Sequence, residues 1–147
     1  MSLTYKNILV AVDESNESKL AFKRAIQVAL NNFNSKLYVV HVIDTRSFAF
    51  YESYNLNMVD RAYDIATELL NSHIAMAKEA GLENVEMIIE FGAPRQIIAR
   101  DIPKAKQIHL IICGVTGKGG VERILMGSVS ESIVHMAKCD VLVVRNL

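Results

Sequence analysis

Apolar residues along this chain fall into two alternating rhythms. Short, nearly unbroken aliphatic runs occupy Ile8 to Val12, Leu37 to Ile43, Ile108 to Cys113 and Val141 to Val144. Rich in β-branched residues, they predict strands buried on both faces. A fifth run, Val85 to Phe91, alternates less cleanly, but Val85, Met87 and Ile89 fall on one side and Gly81 and Gly92 lie at its bounds. It predicts a further strand.

Between these runs the period changes to that of a helix. Leu20, Ala21, Ala25, Val28 and Ala29 recur at spacings of three and four behind Ser15, a suitable N-cap, with Glu17 in the first turn. From Met58 to Ala80 a stripe runs through Ala62, Ala66, Leu69, His73 and Met76, and Gly81 suits its left-handed end. Pro94 opens a third helix carrying Ile97, Ile98 and Ile102, which Pro103 is expected to stop. A last helix is expected to open at Ser128, where Ser128 and Glu131 have capping-box spacing ahead of Val129, Ile133 and Met136.

The order βαβαβαβαβ predicts an α/β fold, a three-layer sandwich whose five-stranded parallel sheet of order 3-2-1-4-5 carries helices on both faces. Strand order then reverses between the first and fourth strands, and ligands of such sheets sit beyond the carboxyl ends at that point. The loops after Val12 and Cys113 become the candidates.

Composition narrows the partners. The 147 residues suit a single domain, 1–147. Lys plus Arg and Asp plus Glu are both 16, so no net field favours nucleic acid or an anionic membrane. No apolar run approaches the roughly 20 residues of a membrane span, and no secretory leader pattern opens the chain. The expectation is a cytoplasmic protein. Cys113 and Cys139 lack metal or disulfide spacing and are expected to be buried free thiols, and His41, His73, His109 and His135 form no paired-ligand motif. Neither a catalytic residue nor a metal ligand is assigned.

The loop after the fourth strand reads Gly114-Val-Thr-Gly117-Lys-Gly-Gly-Val-Glu-Arg-Ile-Leu-Met-Gly127-Ser128. Glycines admit close approach of a ligand to the main chain, and the following helix offers free N–H groups and the positive end of its dipole, which suits a polyphosphate. The spelling is not a Walker loop, because Gly119 follows Lys118 and position 112 is not glycine. Nor is it a dinucleotide fingerprint, since Glu122 stands where a glycine is required. On composition alone, glycines that serve only turns explain the loop as readily as a ligand does.

Gly114, Gly117, Gly127 and Ser128 match, at every fixed position, the G-x2-G-x9-G-[S/T] spacing of the nucleotide-binding branch of the universal stress proteins, which the chain resembles. The likeness extends to Ile8-Leu-Val-Ala-Val-Asp13, His41-Val-Ile-Asp44 and Val141-Leu-Val-Val-Arg145. The resemblance implies an ATP-binding regulatory or stress-response module, with ADP or AMP as alternatives and Mg²⁺ or Mn²⁺ accompanying the phosphates. It also implies that Asp13 reaches the nucleoside and that the main chain around Val42 meets the adenine edge. Val12, Val115, Thr116, Lys118, Arg123 and Val129 complete the candidate nucleotide-binding set. Thr116 departs from the His or Arg of many relatives, and Asp13 also suits, less readily, a turn before the first helix.

Two other classes remain open: a slow ATPase or phosphotransferase, with Asp13 as the only obvious acid, and a nucleotide-free interaction dimer. A homodimer through the strand Val141 to Val144 is expected in either case, because that strand lies at the sheet edge, is apolar and carries no proline. An unidentified protein partner follows from the regulatory role. The loop Asp44 to Tyr54 is rich in aromatic residues, which suit packing onto the following helix and, less readily, a lid.

Overall fold

In a computed structural model, which describes residues 4–48, 56–115 and 127–145, the apolar runs become β1 (Asn7–Ala11), β2 (Lys36–Asp44), β3 (Val85–Gly92), β4 (Leu110–Gly114) and β5 (Asp140–Val144). All neighbours pair in parallel in the order β3-β2-β1-β4-β5. The helical stretches are α1 (Asn16–Asn31), α2 (Leu56–Glu79), α3 (Pro94–Gln96), α4 (Ile102–Lys106) and α5 (Ser128–Met136).

Successive residues of the central strands feed opposite faces, which is why these strands are apolar without alternation. Ile8, Val10, Leu37, Val39, Leu110 and Ile112 pack with Phe22 and Ala25 of α1 and Leu70 and Ala77 of α2. Leu9, Tyr38, Val40, Ile111 and Cys113 pack on the other face with Ile97, Ile98, Ile102 and Ile133. Among the described residues β3 pairs only with β2, and its exposed Met87 and Phe91 account for its weaker pattern.

Pro103 does not stop the third helix. Residues 94–106 run continuously from α3 through a π turn, Ile97–Asp101, into α4. The N–H of Ile102 reaches back to the Ile97 carbonyl, five residues away. That wider turn relieves the clash a proline ring makes with the preceding turn, and the rod tolerates the one donor that Pro103 lacks. The rod ends at Gln107, which adopts φ 52°. By contrast Gly81 closes α2 as expected, with φ 99°.

Two smaller expectations also change. Cys113 is buried, but Cys139 is only half-buried. Ser128 is the first residue of α5 rather than its cap; the cap is Gly127, and no side-chain cap bond forms. The capping box fails because the chain enters the helix one residue earlier than its Ser-x-x-Glu spacing suggests.

Candidate nucleotide site at the carboxyl ends of β1, β2 and β4

β1 ends in a turn built from its own polar side chains. The N–H of Asp13 donates to Ser18 Oγ at 2.8 Å, and Asp13 Oδ1 accepts from the Ser15 N–H at 2.7 Å. Ser15 Oγ in turn accepts from the Ser18 N–H at 3.1 Å and caps α1. Asp13 therefore serves the turn with one carboxylate oxygen, and the turn fixes the half-buried carboxylate at the end of β1. Val12, just before it, is buried, and its N–H donates to the Val40 carbonyl at 2.9 Å.

At the end of β4 the first glycine of the loop has a packing role. A Cβ on Gly114 would stand 2.9 Å from the main-chain oxygen of Glu17, so the strand end and the first turn of α1 touch without room for a side chain. Val115 extends the ladder, its N–H donating to the Val144 carbonyl at 3.2 Å.

α5 is then fastened to the same place twice. Gly127 N–H donates to the Val115 carbonyl at 2.7 Å, and Ser130 Oγ donates to the Gly114 carbonyl at 2.5 Å. Helical bonding begins with the Glu131 N–H on the Gly127 carbonyl, at 2.9 Å. The N–H groups of Ser128, Val129 and Ser130 precede it and point out of the helix, where the dipole adds partial positive charge. Ser128 is exposed and Val129 is half-buried against the second core cluster.

Burial pushes the Cys113 thiol, 4% exposed beneath this junction, up to about 11, with the Ser130 hydroxyl opposing the shift. Near neutral pH the thiol is held protonated.

Val42 lies in β2 opposite Glu90 of β3. Lys36 N–H donates toward β1, to Lys6, and Leu37 N–H toward β3, to Asn84. Even-numbered residues of β2 therefore present their main-chain groups to the β1 side. β1 ends at Ala11, opposite Val40. The N–H and C=O of Val42 thus face the cleft.

The structure brings Val12, Asp13, Val42, Gly114, Val115, Gly127, Ser128 and Val129 to one end of the sheet. Thr116, Gly117, Lys118 and Arg123 lie outside the described residues, as does most of the aromatic loop, residues 49–55. Sequence reasoning missed Ser18, Ser130 and His41, all of which bond to main-chain groups at this end. Ser18 and Ser130 stand inside helices, where a serine carries no signal of its partner. His41 was noticed as a strand-end residue and as one of four histidines without ligand spacing, and neither pointed to the Val12 carbonyl.

The family model for the universal stress protein family matches residues 4–145. Over 143 residues the chain is 46% identical to a putative universal stress protein of Staphylococcus haemolyticus (strain JCSC1435) and 47% identical to one of Staphylococcus aureus (strain USA300). Each match covers 97% of this chain and 86% of the relative. Among solved structures, hypothetical protein MJ0577 superposes with a TM-score of 0.87 at 26% identity, over 99% of both chains. A universal stress protein in complex with cAMP gives a TM-score of 0.70 at 24% identity, over 97% of this chain and 98% of that one. The universal stress protein from Archaeoglobus fulgidus in complex with dAMP gives 0.69 at 21%, over 96% and 98%.

Proposed function

We propose that this chain, which belongs to the universal stress protein family, is a regulatory module that binds an adenine nucleotide, ATP first, at the carboxyl ends of β1, β2 and β4. The observation that carries this reading is the start of α5. Its cap, Gly127, supplies no side-chain acceptor, and two bonds fasten it to the end of β4 at the reversal of strand order. N–H groups with no acceptor among the described residues, at the positive end of a helix dipole at that place, suit phosphate oxygens. In this reading Ser128, Val129 and the loop residues Thr116, Gly117, Lys118 and Arg123 take the phosphates. Asp13 takes the ribose hydroxyls, and the Val42 main chain takes the base. Mg²⁺ or Mn²⁺ would arrive with the nucleotide, held mainly by its phosphates.

The cAMP and dAMP complexes share the fold with this chain at an identity that carries the fold alone. The ligand class here rests on the chain's own glycine spacing and family. Binding rather than turnover is the function proposed, because Asp13 is already engaged in the β1 turn. Bound nucleotide changes the surface offered to a protein partner. Native mass spectrometry of the purified chain tests the reading: co-purifying adenine nucleotide, or uptake of added ATP at millimolar concentration, is expected, and failure of both overturns it.

We also propose that the module works as a two-fold dimer through β5. Val115 N–H donates to the Val144 carbonyl, so even-numbered residues of β5 face β4, while Val141 and Val143 present their N–H and C=O groups outward. The outer edge is apolar and ready to pair antiparallel with its own copy.

A further inference from the structure

β1 and β2 separate at the cleft in an irregular way. With Val12 N–H on the Val40 carbonyl, the next step of a parallel ladder is the Val42 N–H on the Val12 carbonyl. That bond is not made among the described residues. The Val12 carbonyl instead meets Nδ1 of His41 at 2.9 Å. A carbonyl oxygen can only accept, so Nδ1 carries the proton and donates. By the two-residue period His41 shares the α1 and α2 face of the sheet with Leu37 and Val39, so the Val12 carbonyl is drawn out of the ladder toward that face. Both main-chain groups of Val42 remain directed at the space beyond β1.

We propose that His41 is a positioning residue which, by occupying the Val12 carbonyl, keeps the Val42 main chain out of the β1 ladder and available to the edge of an adenine base. The proposal rests on the nucleotide reading above. Adenine offers an acceptor at N1 and a donor at N6, and the Val42 edge offers a donor and an acceptor on one side. A strand closed onto Val12 would spend the Val42 N–H and leave only its carbonyl, so the donor–acceptor pair would be lost. The imidazole does not itself touch the ligand in this scheme; it works through the ladder.

Amide exchange read by NMR on the full chain tests this, with ATP affinity measured in parallel. In the wild type without nucleotide, the Val42 amide should exchange at least about tenfold faster than that of Val40, which stays inside the ladder, and ATP should protect it. His41→Leu frees the Val12 carbonyl to close on Val42, so Val42 exchange should slow toward that of Val40 and the Kd for ATP should rise about tenfold. His41→Asn keeps a donor at similar reach and should behave like the wild type in both measurements. A wild-type Val42 amide as protected as Val40 overturns the proposal with no variant needed. So does unchanged Val42 exchange in His41→Leu, or equal loss of affinity in the two variants. Failure of ATP to bind the wild type would overturn the nucleotide reading instead, while the exchange comparison in the apo protein still decides what His41 does to the ladder.

Discussion

A side chain at Gly114 would place its Cβ 2.9 Å from the main-chain oxygen of Glu17 and 3.0 Å from its carbonyl carbon. Neither atom can yield without moving the first turn of α1, so this glycine is required before any ligand arrives. Gly114→Ala should destabilise the nucleotide-free protein by about 1–3 kcal/mol, the usual range for overpacking. Urea denaturation without nucleotide checks it, and an unchanged midpoint would show that the α1 turn gives way freely.

Gly127 stands in the opposite position, with φ −67° and ψ 160°, a backbone that any residue adopts. Gly127→Val should therefore cost the apo protein no more than the roughly 1 kcal/mol of a poorer N-cap while filling space beside the α5 N–H groups. ATP at one hundred times Kd should stabilise the wild type by about 2.7 kcal/mol, and most of that gain should vanish in the variant. Thermal unfolding with and without ATP gives the comparison. Equal gains in both proteins would move the phosphates away from α5.

The edge of β5 can be tested without disturbing the sheet behind it. Val143 directs its N–H outward, by the register with β4, so Val143→Pro removes a donor that β4 does not use. Sedimentation at micromolar concentration should report a wild-type dimer and a folded variant monomer. A wild type that sediments as a monomer, or a variant that stays dimeric, removes β5 from the interface.

Cys113 should make the protein sensitive to alkali. Burial holds its folded pKa at about 11, against about 9 for a free thiol. The contribution is fully present below about pH 9 and is lost as pH rises toward about 11, since the unfolded chain releases its proton first. The full loss is about 3 kcal/mol. Cys113→Ala leaves a small cavity whose cost does not depend on pH, so the stability of the wild type relative to the variant should fall by about that amount across this window. A parallel pH dependence in the two proteins would contradict the buried thiol as its source.

How much of this was legible in the chain differs from residue to residue. Ile8, Leu9 and Val10 declare a doubly buried strand by being consecutive and apolar, and Gly81 declares a helix end by standing after a periodic stripe. The Ser128 and Glu131 spacing pointed to a cap that does not form, since a local motif says nothing about the Gly127 N–H being drawn to Val115. Pro103 pointed to a helix end because single-residue propensity takes no account of a π turn placed just before it.

By itself, then, the sequence determined the strands and their order. These follow from hydrophobic period and crossover handedness, and both act through near neighbours or through the number of crossings. Only the tertiary structure decided that Gly114 is held without room for a side chain against α1, that Ser130 rather than Ser128 ties α5 to β4, and that His41 takes the Val12 carbonyl from the ladder. Each of those contacts joins groups far apart along the chain, so its distance is set by how helices settle on the sheet, which no local spacing encodes.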